Sequence, residues 1–287
     1  MFAGIGIVVL IVMVFGGYML AGGAMGPILK ALPLEMMMIG GAAIGATLIG
    51  NSMHELKLLG GGFGKVFKGP QYSDQDHIDA IALTSKLMKL LRSEGAVALE
   101  SHVTDPSTSA IFSEYPKLQN DPVVSSLICD PLTLMVVSSG TLDTNAVEDV
   151  IDNAIKTQAH ELEEPQHAIQ GLADAFPALG IVAAVLGVIK TMGSINEPPE
   201  VLGGMIGGAL VGTFLGIFLA YGLAGPMASR VKQVITHDMQ IYHSIKQVIV
   251  ASLHGHPQPL VLEAARSGLP PAHRPKLTDL LDMMRGK

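Results

Sequence analysis

Three stretches of the sequence hold side chains at spacings that chemistry uses, and each falls short of its pattern. Gly60-Gly61-Gly62-Phe63-Gly64-Lys65 approaches a phosphate-binding loop. In such a loop backbone N–H groups cradle phosphates and a Ser or Thr hydroxyl reaches magnesium. Here the spacing is one residue short and Val66 stands where the hydroxyl is needed, so the stretch reads as a flexible turn. His54-Glu55 and His160-Glu161 each open the helical zinc-protease pattern, but Leu58 and Glu164 occupy the places of the second histidine. His160, Glu163, Glu164 and His167 can share a helix face, which reads as a solvated charged surface rather than a metal centre. No nucleophile elbow is present, and Cys129 is the sole cysteine, which rules out an intrachain disulfide and a cysteine-based zinc site. The expectation is a protein that is not an enzyme and uses no cofactor or metal.

The elements that would position any site are mostly apolar. Of 287 residues, 49% are hydrophobic and only 15% charged, too apolar for a soluble domain and too polar for a wholly embedded one. The net charge of -7 and the lack of a basic stripe argue against nucleic acid as a partner. The N-terminus is hydrophobic from Phe2, without a basic flank or an A-x-A cleavage site, so a retained helix is expected. Four segments approach the roughly 20 apolar residues that span a bilayer. They run from Phe2 to Leu20, from Leu34 to Gly50 with Glu35 at its edge, from Phe176 to Ile189 extended back through Gly171–Ala175, and from Val201 to Ala224. Gly26-Pro27 separates the first two, and Asn196-Glu197-Pro198-Pro199 the last two.

Lys57, Lys65 and Lys68 follow the second segment, and Arg230 and Lys232 follow the fourth. By the positive-inside rule both termini and the long insertion are expected on the cytoplasmic side, and the two short loops on the periplasmic or external side. The expected fold is an all-α integral membrane protein with four transmembrane helices. It has a large helical cytoplasmic insertion between the second and third, and a cytoplasmic C-terminal tail. The segments are a first hairpin (1–52), the insertion (53–170), a second hairpin (171–227) and the tail (228–287). Gly204, Gly208, Gly212 and Gly216 recur every four residues, a spacing that lets helix backbones approach closely in lipid, either within the chain or between subunits.

In the insertion, Ser73-x-x-Asp76 predicts a capping box, and Gly95 an interruption before Leu99 and Glu100. Asp105-Pro106 and Asp121-Pro122 predict helix starts, Thr144 a further cap, and Asp130-Pro131 a break that divides Val123–Val137 into two buried helices. The Pro-rich region after Leu253 predicts a mobile surface.

On this reading no ionisable group lies near mid-depth: Glu35, Asp174 and Lys190 fall near segment ends, and Thr213 is the deepest polar side chain. An ion conductor normally carries such groups. If this chain conducts ions, the carboxylate that takes the ion is expected from another chain.

Three motifs carry a resemblance. Asp174-Ala-Phe-Pro177-Ala-Leu-Gly180-Ile-Val-Ala183-Ala184-Val-Leu-Gly187 resembles the third-helix signature of the MotA family of flagellar stator subunits. The stretch from Met205 through Gly212-Thr213 to Tyr221-Gly222, followed by Pro226, resembles its fourth helix. Leu91-Arg92-Ser-Glu-Gly95-Ala-Val-Ala-Leu99-Glu100 resembles its rotor-facing segment. The resemblance implies a pentameric ring around a MotB-type partner that supplies the membrane aspartate, with ion passage turning the ring and the ring turning the rotor protein FliG. It implies that Thr213 lines the ion path, that Pro177 and Pro226 couple ion flow to conformation, and that Arg92 and Glu100 face FliG. Sodium-type (PomA-like) relatives carry threonine where this chain has Ala184, so H+ is the expected ion and Na+ the alternative. The four-segment count and the Arg92–Glu100 motif speak against an ExbB/TolQ-type energising subunit.

Overall fold

The computed structural model describes residues 2–138 and 143–284. Among them every regular element is helical. In chain order the helices are α1 (Phe2–Leu20), α2 (Met25–Gly50), α3 (Met53–Lys68), α4 (Asp74–Glu94), α5 (Ala96–Thr104) and α6 (Ala110–Ser113). They continue as α7 (Pro116–Gln119), α8 (Pro122–Val137), α9 (Thr144–Met192), α10 (Pro199–Leu253), α11 (Gln258–Ser267) and α12 (Leu277–Met284). Four of them, α1, α2, α9 and α10, are long and apolar enough to cross a membrane. The chain divides into two compact units, residues 1–69 with 163–234 and residues 70–162 with 235–287.

In the first unit α1 ends at Leu20, and Gly22 makes the turn at φ 85°, which a side chain would strain. The break therefore precedes Gly26-Pro27. Pro27 lies in the first turn of α2, where its missing N–H has no intrahelical partner to lose. Starting at Met25 rather than Leu34 gives α2 26 residues and puts Glu35 inside it. The Gly60–Lys65 stretch is helical rather than a turn, because α3 continues to Lys68. Its start is set by a capping box between Ser52 and Glu55. A β-carbon at Gly62 would lie 2.6 Å from Pro165 Cβ, so glycine is what allows α3 to meet α9 there.

In the second unit Ser73 and Asp76 form the expected capping box, Asp121 caps α8 through the N–H groups of Val123 and Val124, and Gly95 at φ 86° separates α4 from α5. Burial alone would raise the Asp76 carboxyl. Hydrogen bonds from Lys117 and Ser73 outweigh it and hold the group below its ordinary value. Asp105-Pro106 does not start a helix: the Asp105 carboxylate is taken up by the Ser107 hydroxyl at 2.5 Å in a turn, and α6 begins at Ala110. Asp143 rather than Thr144 occupies the position before α9, its carbonyl accepting from Val147 N–H at 3.2 Å. Pro131 does not break α8. An interior proline costs about 3 kcal/mol. Val124, Leu127, Ile128, Leu132 and Met135 are buried along the same helix and offset that cost. Between Leu253 and Met284 the chain folds into packed helices rather than a loose surface. Val261, Leu262 and Ala265 of α11, Leu269, and Leu280 of α12 are buried, and both helices pack on α4.

Candidate functional site

The residues singled out in the third and fourth membrane segments meet where α9 and α10 touch. A β-carbon at Gly216 would lie 2.6 Å from the Phe176 carbonyl oxygen and 2.9 Å from Gly180 Cα. One at Gly180 would lie 2.8 Å from the Gly212 carbonyl oxygen, and one at Gly187 2.6 Å from Ala209 Cβ. These separations are shorter than carbon contacts tolerate, so main chain packs on main chain. Gly212 and Gly216 of the glycine strip are thus within intrachain packing. A β-carbon at Gly208 would have only Ala31 Cβ near it, at 3.9 Å, and Gly204 is exposed with nothing within 4 Å.

Gly212 is the point where a third helix joins. A β-carbon there would meet Ala183 Cβ and Ala184 N of α9, each at 3.3 Å, and Glu35 Oε2 of α2 at 2.5 Å. Ile39, Ala183 and Leu215 form the buried apolar cluster around this junction, with Leu32, Met38, Phe176, Leu179 and Leu219 packed against it. Thr213, the next residue on α10, and Ala184 are both partly exposed. Ala184 N thus borders the junction, and Thr213 follows it by one residue along α10.

Glu35 is a correction to the sequence reading. It lies about ten residues, roughly 15 Å, inside α2 at 1.5 Å per residue. It is only 6% exposed, and its Oε2 has no hydrogen-bond partner. The second segment therefore carries a buried carboxyl group well away from its ends. An ionisable side chain in such a place costs free energy to desolvate and commonly marks an ion pathway. Lys30 and Pro33 interrupt the apolar run and made the segment look as if it began at Leu34.

Pro177 is half-buried inside α9, and Pro226 is exposed in α10. Residues Phe218–Ala224, just before Pro226, are wound as a π-helix. Proline donates no N–H, and its ring crowds the carbonyl four residues earlier. Wider winding next to Pro226 relieves that crowding locally. Gly222 in this stretch would bring a β-carbon to 3.0 Å from Leu10 Cδ2 of α1. In the other unit Arg92 and Glu100 are exposed on either side of Gly95, and Arg92 Nη1 donates to the His256 carbonyl at 3.2 Å.

Known proteins supply the context. Residues 4–95 match the Motility protein A N-terminal family, and residues 122–244 the MotA/TolQ/ExbB proton channel family. The chain is 35% identical over 281 residues to Motility protein A of Salmonella typhimurium, covering 98% of this chain and 94% of that protein. It is 33% identical over 262 residues to the chemotaxis protein LafT of Vibrio parahaemolyticus, covering 91% and 90%. Its fold resembles a chain of the MotAB complex of Campylobacter jejuni (TM-score 0.73, 19% identity, 94% and 95% covered). It likewise resembles one of the flagellar MotAB stator complex of Bacillus subtilis (TM-score 0.72, 22% identity, 94% and 96% covered). Four apolar helices and a proton channel family match make this a multi-pass membrane protein and not an enzyme. The chain belongs to the Motility protein A (MotA) family of flagellar stator subunits.

Proposed function

We propose that this chain is the torque-generating subunit of a flagellar stator, working with a MotB-type partner in the bacterial inner membrane and coupled to protons. The observation that supports the reading is the Gly212 junction, where α9 and α10 lie in backbone contact beside Ala184 N, with Thr213 the next residue along α10. A helix pair with main chain in contact is stiff across the contact and can move as one body. The π-wound stretch before Pro226 and the proline at 177 give places where each long helix can change shape. Ion passage past a partner aspartate beside Thr213 would bias that change, and exposed Arg92 and Glu100 would transmit it to FliG. Surface charges add little stability, about 0–1 kcal/mol a pair, and their value is in register with rotor charges. Several copies, five by resemblance, form a ring around the partner. Both termini and the second unit are cytoplasmic on the Lys/Arg distribution. Alanine at 184 offers no side-chain oxygen to a dehydrated sodium ion, which supports H+ over Na+.

The test is complementation. A strain lacking its own stator genes should regain swimming when this chain and its neighbouring MotB-type protein are expressed together, and not with either alone. Swimming restored by this chain without a partner would overturn the two-subunit reading.

A further inference from the structure

Four chemistry-bearing side chains from three distant parts of the sequence converge in the second unit. Asp74 is the first residue of α4, His77 lies one turn on, His237 is on α10, and His273 is in the turn between α11 and α12. One donor atom each from Asp74, His237 and His273 lie within 4.8 Å of one another. The His237 ring centroid is 5.1 Å from that of His273 and 5.1 Å from that of His77. His77 is wholly buried and neither of its ring nitrogens has a hydrogen-bond partner, while His237 Nδ1 also lacks one and has Asp238 Oδ1 at 3.9 Å.

An ordinary histidine–carboxylate contact explains part of this. His273 Nδ1 lies 2.7 Å from Asp74 Oδ1, which satisfies that pair. It leaves both nitrogens of His77 and Nδ1 of His237 without a hydrogen-bond partner, on rings 5.1 Å apart, where more than nine in ten buried polar groups are paired. Imidazole nitrogens with one carboxylate oxygen are the donor set of a zinc-type divalent ion. Metal–donor bonds of about 2.0–2.1 Å in a tetrahedron put donors about 3.3 Å apart. Rotation of the partly exposed His273 and Asp74 side chains, on a turn and a helix end, can close the present spread to that value.

We propose that Asp74, His237 and His273 bind a zinc-type divalent transition-metal ion, with the buried His77 ring packed against His237 and solvent completing the ligand set. The ion would tie the turn after α11 to the start of α4, joining residues 199 positions apart. Its role would be structural, since metal binding adds to the stability of whatever fold assembles the ligands. This inference stands apart from the stator reading and survives its failure.

The experiment uses the full chain co-purified with its membrane partner on a tag without histidines, then stripped with chelator. Cobalt(II) is added and its visible d–d absorption recorded. The expected result is one equivalent per chain with the intense bands of four-coordinate cobalt, displaced by zinc. His273→Gln and Asp74→Asn should each weaken binding at least tenfold. Zinc should slow proteolysis of the chain after Leu253 in the parent and not in these variants, whose sites are surface-accessible and whose folding is checked by size-exclusion. Absence of the bands, or bands unchanged in both variants, would overturn the proposal and leave a hydrated polar pocket.

Discussion

Replacing Gly216 by alanine adds one methyl group where α9 leaves no room. The new carbon would sit 2.6 Å from the Phe176 carbonyl oxygen and 2.9 Å from Gly180 Cα. Carbon contacts are favourable near 3.5–4.0 Å, so the two helices must separate by roughly 0.5–1 Å, forfeiting a quarter to a half of each facing contact. Overpacking costs about 1–3 kcal/mol in cores whose side chains can yield. At Gly216 the obstacles are main-chain atoms, so the cost should reach the top of that range, about 3 kcal/mol. Gly212→Ala meets the mobile end of Glu35 first, with Ala183 Cβ and Ala184 N at 3.3 Å, and should cost about 1 kcal/mol. Gly204→Ala meets nothing within 4 Å and should leave the α9–α10 pair unaffected or gain up to about 1 kcal/mol of helix propensity. For a chain of this size the Gly216 change corresponds to about 6–12 °C in melting temperature. The assay heats the detergent-purified complex and measures the fraction that stays monodisperse on size-exclusion. A Gly204→Ala variant destabilised as much as Gly216→Ala, or a Gly216→Ala variant melting within about 1 °C of the parent, would refute the packing argument.

Further outcomes follow from the same geometry. Glu35→Gln keeps the shape of the buried side chain and removes its titratable group. It should slow swimming several-fold at unchanged complex yield, and full speed would show the carboxyl to be structural. Arg92→Glu and Glu100→Lys change exposed side chains, so each should reduce torque on tethered cells without lowering the amount of folded protein; loss of folded protein instead would argue against a rotor-facing role. Burial pushes the Cys129 thiol up to about 11, so its alkylation at pH 8 should be about 100-fold slower than for an ordinary thiol and speed up on unfolding. Because the folded value lies above the unfolded value of 9.0, this group's contribution is fully present below pH 9 and is lost as pH rises toward 11. Denaturant midpoints measured across that window should fall, and a flat profile would place the thiol in contact with water.

Much of the fold was legible because local chemistry decides it. Ser73 with Asp76, Asp121 before Pro122, and Gly95 each act on their own neighbours, and each does in the structure what its residue type predicts. The errors arose where a tertiary contact overrides a local signal. Pro131 and the Gly60–Gly64 run read as breaks, yet buried apolar faces on α8 and the Gly62–Pro165 contact keep both stretches helical. The Pro-rich tail read as loose, yet Val261, Leu262 and Leu280 find a buried surface that no local pattern announces. Glu35 was misplaced because Lys30 and Pro33 shortened the apparent apolar run. The meeting of Asp74, His77, His237 and His273 was invisible for a different reason: residues far apart in sequence are brought together by ring contacts of His237 with His77 and His273 and by the packing of α11 and α12 on α4.

The most direct measurement of the central claim is swimming speed in a strain whose only stator contains this chain. Sodium is removed at constant proton-motive force, and a protonophore is then added. Speed that persists without sodium and collapses with the protonophore is the predicted result. Speed that follows sodium and resists the protonophore would contradict proton coupling and the reading of Ala184, and unchanged motility on deleting the gene would contradict the stator assignment itself.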